Sequence, residues 1–350
     1  MNEIEKALQE RFLLQEEYLG NNKAVNKVLP LVSITVATYQ HVNYIRDCLE
    51  GILMQKTTFP YEIILGEDGS VDGTQEICKE YAEKYPDKIR LFIRDRNLSQ
   101  YKGDNGNITR FNGVWNRMSV RGKYVAWCDG DDYWIDPLKL QKQVDFLEAN
   151  PDYGLVHTDF QVQSDANIKE YRINRSFDSA TALTSILLWK SEIGTLTVLY
   201  RRNIYESLPK FYKGQAFLMG DLPLWIEFAS VSKIKYINDV TACYRRLDSS
   251  ASHFVDFQKQ IIFIDNAIKC RLFYAKKFAL ENLNSDIIAK GYIVKIKICS
   301  QQQKRKEAIS YLKIVMKKSP IKAFYGFCFL LIAYFPFLYN FDNILYKKGK

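Results

Sequence analysis

Residues 127–134 read WCDGDDYW, which puts Asp129, Asp131 and Asp132 within four positions. Carboxylates this close repel one another, so a fold that keeps them needs an opposing contribution. A tight Asp-Gly turn open to water uses one aspartate, not three. A hard divalent cation takes oxygen ligands, and Mg2+ is commonly held by one or two carboxylates plus a ligand's phosphates. Asp129 and Asp131 are two apart, so in an extended segment they point the same way, one toward a ribose and the other toward a metal. A second acidic stretch, GEDGSVDGT at 66–74, offers Glu67 and Asp68 as acceptors for a ligand's N–H or ribose hydroxyls. The alternative for that stretch is a plain turn in which Asp72 caps the following helix. No GxGxxG or GxxxxGKS is present, so a helix-end phosphate cradle of the dehydrogenase or P-loop kind is not supported.

These loops must be held by strands that end at them. LVSITVAT (31–38) and YEIILGE (61–67) are the unbroken apolar runs of strands buried on both faces, and Ile89–Ile93, KYVAWC (123–128) and 154–160 read as further strands. Helical patterns fall between them at Tyr44–Met54, Thr74–Tyr85 and 137–149. Strands alternating with helices predict βαβ units around a mostly parallel sheet, which binds ligands outside the carboxyl ends of its strands. Both acidic loops lie at such ends. Farther along, the pattern predicts a helix at 181–189, an extended LTVLYRR (196–202), a helix from about Asp221, and a basic helical region over 256–318. Residues 2–18 read as an amphipathic helix with Ile4, Leu8, Phe12 and Leu13 on one face, followed by a linker at Gly20–Lys27.

A chain of 350 residues with 47% hydrophobic content suits one large α/β domain plus an extension. Its seven cysteines are scattered without a CxxC pair and it has three histidines, which argues against a disulfide framework or zinc site and for a reducing compartment. MNEIEKALQERF lacks an apolar signal region, so the expected location is cytoplasmic. The net charge of +9 is concentrated at one end: residues 269–350 hold 17 Lys and Arg against four acids. Anionic lipid, nucleic acid and a solvated helical face all fit such a tail. The uncharged run AFYGFCFLLIAYFPFLYNF (323–341) favours lipid over nucleic acid. Its 19 residues span about 28 Å as a helix, and lysines flank it on both sides, a pattern suited to lying in the cytoplasmic leaflet. The alternative is a hydrophobic hairpin buried on the protein.

VSITVATYQHVNYIRDCLEGILMQKTTFPYEIILGEDGSVDGT followed by GKYVAWCDGDDYWIDPLKLQKQVDFLEANP resembles the family 2 glycosyltransferases of the GT-A fold, densely over 31–160 and loosely over 190–253. The resemblance implies inverting transfer of a hexosyl or N-acetylhexosaminyl group from a nucleotide-diphosphate donor, usually a UDP-sugar, with Mn2+ or Mg2+. It implies an acceptor hydroxyl on a glycan or lipid-linked glycan, at the inner face of the cell membrane. Carried over by position, Thr38 and Tyr39 line the nucleoside pocket, Glu67 and Asp68 contact uracil and ribose, Asp129 approaches the ribose, and Asp131 binds the metal. Glu67 stands where many relatives have Asp. Asp221 in MGDLPLW (219–225) becomes the general base; Asp before Leu-Pro also reads as a helix N-cap, and the two roles are compatible. Arg245 or His253, in YRRLDSSASH (244–253), closes over the diphosphate or forms a basic surface turn, and Gly194 and Thr195 line the acceptor pocket. The implied organisation is an N-terminal helix and linker (1–28), a GT-A catalytic domain (29–255, with a nucleotide half 29–160 and an acceptor half 161–255), and a basic helical extension (256–350). A non-catalytic nucleotide-sugar binder or membrane-associated scaffold with a degenerate site is the competing class. The intact Asp129, Asp131 and Asp221 set argues against it.

Overall fold

The computed structural model describes residues 3–103, 108–164, 167–171, 181–190, 193–208, 217–247 and 256–334. The chain forms two units, each assembled from separate segments. The first comprises Met1–Ser179, Ile193–Lys213 and Phe228–Arg246; the second comprises Ala180–Glu192, Gly214–Glu227 and Leu247–Lys350. The second unit therefore draws in two stretches that lie N-terminal to residue 255.

The first unit is built on one sheet. Its strands are β1 (Val32–Thr38), β2 (Tyr61–Glu67), β3 (Ile89–Ile93), β6 (Tyr124–Trp127), β7 (Tyr133–Trp134), β8 (Tyr153–Ser164), β9 (Asn167–Tyr171), β10 (Leu199–Arg201) and β11 (Lys233–Arg245). The spatial order is β3-β2-β1-β6-β10-β8-β11-β7, with β9 on β8. The half that carries the acidic loops, β3-β2-β1-β6, is parallel throughout. Beyond it β11 runs parallel to β8, while β10, β7 and β9 are antiparallel to their neighbours. This is the mostly parallel, helix-flanked α/β architecture expected from the sequence. A separate hairpin pairs β4 (Gln100–Lys102) with β5 (Ile108–Arg110).

β2 is buried at every position and β1 at all but one, which is why both read as unbroken apolar runs. α2 (Ile45–Leu53) buries Ile45, Cys48, Leu49 and Ile52, and α3 (Thr74–Lys84) buries Ile77, Cys78, Tyr81 and Ala82. These i, i+3, i+4 stripes cover the sheet, and α4 (Asn112–Met118), α5 (Lys139–Ala149) and α7 (Arg202–Ser207) are further helices of this unit.

The N-terminal segment departs from its expected form. α1 spans Glu3–Phe12 rather than 2–18, and none of its residues is buried. Of the anticipated face, Ile4 and Leu13 are exposed while Leu8 and Phe12 are half-buried, so apolar packing alone does not dock it. Polar contacts contribute: Arg11 donates to the Gln100 carbonyl at 2.5 Å, Trp115 Nε1 donates to the Leu8 carbonyl at 3.0 Å, and Glu17 pairs with Arg90 at 3.0 Å. The expected linker is packed as well, with Val25 buried and Lys23 Nζ donating to the Ile89 carbonyl at 2.6 Å.

The second unit is helical: α6 (Ala182–Leu187), the start of α8 (Asp221–Val231), α9 (Phe257–Lys277), α10 (Asn284–Gln301), α11 (Arg305–Lys318) and α12 (Pro320–Tyr334). Ala289, Ile296, Cys299, Ala308, Leu312, Val315 and Leu330 form a core between α10, α11 and α12. The C-terminal part of the 323–341 run, residues 335–341, lies outside the described residues.

Candidate functional site

The carboxyl ends of β1, β2 and β6 lie side by side in the first unit, and the register fixes what meets there. Thr38 pairs with Glu67, and Thr35 with Trp127. Beyond those pairs the backbone continues the contact: Asp68 N–H donates to the Thr38 carbonyl at 3.1 Å, and Gly130 N–H donates to the Ala37 carbonyl at 2.9 Å. The end of β1 is thus flanked by the two acidic loops. Gly130 must be glycine, because a Cβ there would stand 2.7 Å from Thr38 Oγ1 and 2.9 Å from His41 Nδ1.

The three aspartates after β6 have different surroundings. Asp132 is buried, and its Oδ1 accepts the Arg245 backbone N–H at 2.9 Å. Burial, and after it the charge of Asp131, pushes the Asp132 carboxyl well above the usual range. It anchors the end of β11 to the loop. Asp129 is half-buried, and its carbonyl accepts from Asp132 N–H at 3.0 Å and from Cys48 Sγ at 3.5 Å. Asp131 is half-buried too, and among the described residues its carboxylate accepts no hydrogen bond and makes no ion pair. That is the donor chemistry a hard cation needs: one carboxylate with unengaged oxygens, on a loop fixed on both sides by backbone and by Asp132.

The first acidic loop is stitched to itself and to its neighbour. Glu67 is fully buried; Oε1 accepts Ser70 N–H at 2.7 Å, and Oε2 accepts Gly69 N–H at 3.2 Å and Gln75 Nε2 at 3.1 Å. Asp68 is 3% exposed, paired with Arg96 at 2.7 Å and hydrogen-bonded by Ser99. Burial raises its pKa, against the lowering effect of Ser99 and Arg96. The Arg96 guanidinium lies 3.2 Å from the centre of the Tyr39 ring, so Asp68, Arg96 and Tyr39 form one cluster. Asp72 accepts Thr74 N–H at 3.0 Å and Val42 N–H at 3.1 Å, joining the β2–α3 loop to the β1–α2 loop. Burial works to raise its pKa, but the hydrogen bonds from Thr74 and Val42 outweigh it and hold Asp72 below the ordinary value. His41 Nδ1 is 3.3 Å from Thr38 Oγ1; burial lowers its pKa, with Asp131 and Asp72 opposing.

Arg245 lies beside the same loop. Its guanidinium donates to the Asp131 carbonyl at 3.1 Å, pairs with Asp47 and packs 4.3 Å from the Tyr133 ring centre. Gly194 and Thr195 open a short turn held from beneath, where Trp134 Nε1 donates to the Leu196 carbonyl at 2.9 Å and Gln143 Nε2 to the Thr197 carbonyl at 2.7 Å. Asp221 belongs to the second unit. It is the first residue of α8, its Oδ1 accepts Leu222 N–H at 2.8 Å, and its charge reaches Cys270 on α9. His253 lies outside the described residues.

Sequence reasoning did not single out Arg96, Ser99, His41 or Asp47. Arg96 and Ser99 follow the end of β3, where a basic and a hydroxyl residue in RDRNLS carry a weak signal, and His41 stands three residues after Thr38. Asp47 sits in α2 and gives no local signal.

The family model for glycosyl transferase family 2 matches residues 33–208. An uncharacterised protein of Mycobacterium tuberculosis is 33% identical over 224 residues, which cover 61% of this chain and 58% of that protein. The chain thus matches rather more than half the length of that relative. EpsE of Bacillus subtilis, named as a glycosyltransferase, is 31% identical over 242 residues, 68% of this chain and 80% of its own length. Among solved structures, TarS 1–349 of S. aureus matches 87% of this chain and 88% of its own with a TM-score of 0.50 and 16% identity, a likeness of fold.

Proposed function

Because the chain belongs to glycosyl transferase family 2, we propose that it moves a hexosyl or N-acetylhexosaminyl group from a UDP-sugar to a hydroxyl of a glycan or lipid-linked glycan, with inversion. The observation that carries the donor side is the state of the β6 loop: Asp132 is engaged in holding it, Gly130 presses it against β1, and the Asp131 carboxylate is left available. The reading also draws on the S. aureus fold neighbour, which was solved in complex with UDP.

On this reading Thr38 and Tyr39 line the nucleoside pocket, Asp68 exchanges its contacts with Arg96 and Ser99 to receive the nucleoside, and Asp129 approaches the ribose. Glu67, turned onto the N–H groups of its own loop, acts by holding that loop's shape. Asp131 would hold Mn2+ or Mg2+, which supplies positive charge to stabilise the departing diphosphate. Asp221 takes the proton from the acceptor hydroxyl as its oxygen attacks the anomeric carbon, and UDP leaves from the opposite side. Arg245, fixed beside Asp131 by its carbonyl contact, adds positive charge near the diphosphate. Gly194 and Thr195 line the acceptor side. A cytoplasmic site on the inner face of the cell membrane, reached through the C-terminal segment, fits a lipid-linked acceptor.

The test is calorimetric binding of UDP, GDP, ADP and dTDP, each with and without Mn2+, to the parent and to Asp131→Ala. Binding of UDP that requires Mn2+ and disappears in Asp131→Ala is the expected result. Binding indifferent to both metal and Asp131 would remove the basis of the reading.

A further inference from the structure

α12 has two faces, and only one is packed. Ala323, Phe329 and Leu330 belong to the core shared with α10 and α11. Between them, a Cβ on Gly326 would stand 2.9 Å from Leu312 Cδ1 and 3.1 Å from Ile296 Cδ1. The helix therefore packs closely against its neighbours at this glycine. The other side carries Ile321, Phe324, Tyr325 and Phe327, with exposures of 87%, 68%, 62% and 48%. Their spacing of three and four residues makes one stripe on the solvent side. Just before α12 in the chain, over the last six residues of α11, Met316 is exposed together with Lys313, Lys317 and Lys318.

A helix that faces only water does not carry a run of aromatic and aliphatic side chains beside clustered lysines. That combination matches a segment lying in a membrane interface, where the apolar face enters the boundary between headgroups and acyl chains and the lysines meet lipid phosphates. Among the described residues no helix is long and apolar enough to cross a membrane. The inner face of α12 is occupied by protein, so its described part is not a span surrounded by lipid.

We propose that the outer face of α12, with Lys313, Lys317 and Lys318, docks this protein in the plane of an anionic membrane. The inference deepens the membrane partner in the reading above, but it rests on a surface of the second unit that carries none of the residues assigned there to the nucleotide. The occupant is identified by charge: clustered lysines beside an apolar stripe complement a negatively charged bilayer, and a zwitterionic one far less.

The experiment is co-sedimentation of the full chain with phosphatidylcholine vesicles prepared with and without phosphatidylglycerol, at low and at physiological salt. Two variants accompany the parent: Ile321→Ser/Phe324→Ser, and Lys313→Gln/Lys317→Gln/Lys318→Gln. The parent should bind the phosphatidylglycerol vesicles, less so as salt rises. The apolar variant should lose at least about tenfold in partitioning. The lysine variant should lose about a hundredfold, at roughly fivefold for each charge. All the substituted side chains are exposed, so melting temperature and UDP binding should match the parent; if the apolar variant fails to fold, the lysine variant decides. A parent that ignores phosphatidylglycerol vesicles, or variants that bind them as well as the parent does, would overturn the proposal. So would a parent dimer that becomes monomeric in the apolar variant, because the face would then belong to a second copy. A preparation that binds vesicles but not UDP with Mn2+ keeps this inference and loses the donor reading.

Discussion

Substituting Asp132 separates the roles of the three carboxylates on the β6 loop. The structure gives this residue a partner in the protein: its Oδ1 accepts the Arg245 backbone N–H at 2.9 Å, with the side chain buried. Asp132→Ala removes the acceptor and leaves a buried N–H without one, so it should be about 1–3 kcal/mol less stable than Asp132→Asn, which removes the same buried charge but keeps an acceptor. For a unit of this size that corresponds to a fall of about 2–12 °C in melting temperature. Asp132→Asn keeps an acceptor oxygen in the same place and takes a carboxylate away from Asp131, so it should melt close to the parent. The same pair predicts the binding result. Asp132→Asn should retain Mn2+-dependent UDP affinity, whereas Asp131→Ala, whose carboxylate has no hydrogen-bond partner among the described residues, should lose that affinity at little cost in stability. Scanning calorimetry on the three variants, with UDP titrations on the same samples, reads both quantities. The reasoning fails if Asp132→Asn destroys UDP binding as completely as Asp131→Ala, because Asp132 would then be a ligand. It fails equally if Asp132→Ala melts with Asp132→Asn, because the anchor would then hold nothing.

Asp221→Asn should leave UDP binding unchanged and lower turnover by about 10²–10⁴-fold, the usual contribution of a general base; a variant that transfers sugar at the parental rate would dismiss the assignment. Lys139 supplies a pH-dependent case. It is fully buried, donates to Gln143 at 2.7 Å, and burial pulls its pKa down from 10.5 to about 7. Below pH 7 the folded protein carries the whole cost of that buried charge; between pH 7 and 10.5 the fold sheds a proton that the unfolded chain keeps, so stability rises with pH. Lys139→Met should therefore be more stable than the parent by about 3 kcal/mol at neutral pH, with the gain shrinking as pH rises. Chemical denaturation at several pH values checks the trend, and a difference that grows with pH would contradict it.

The sequence is most readable where physics acts on one residue at a time. β2 is bounded as its apolar run predicted and β1 begins one residue late, because strands buried on both faces leave no other arrangement for Val, Ile and Leu. β11 was not anticipated: KIKYINDVTACYR alternates poorly, and its register on β8 shifts between Tyr236 and Val240, so no single period runs through it. α1 shows the opposite error. Its apolar spacing predicted a docked hydrophobic face, yet half of that face stays exposed and Arg11 and the Leu8 carbonyl help to hold the helix, contacts whose partners lie about a hundred residues away and leave no local trace.

The candidate site divides along the same line. Asp-Gly steps after buried strands mark where carboxylates gather, since a turn at a strand end needs those residues for its own geometry. They do not say which way each carboxylate points. Glu67 turns inward because the N–H groups of Gly69 and Ser70 converge on it, and Asp132 does so because the end of β11 brings one N–H to it from more than a hundred residues away. Asp131, half-buried beside them, keeps a carboxylate that no hydrogen bond or ion pair among the described residues takes up. The availability of one carboxylate to a cation is thus produced by the engagement of its neighbours, and a motif of three aspartates acquires its chemistry only when the surrounding strands have taken up the one they need.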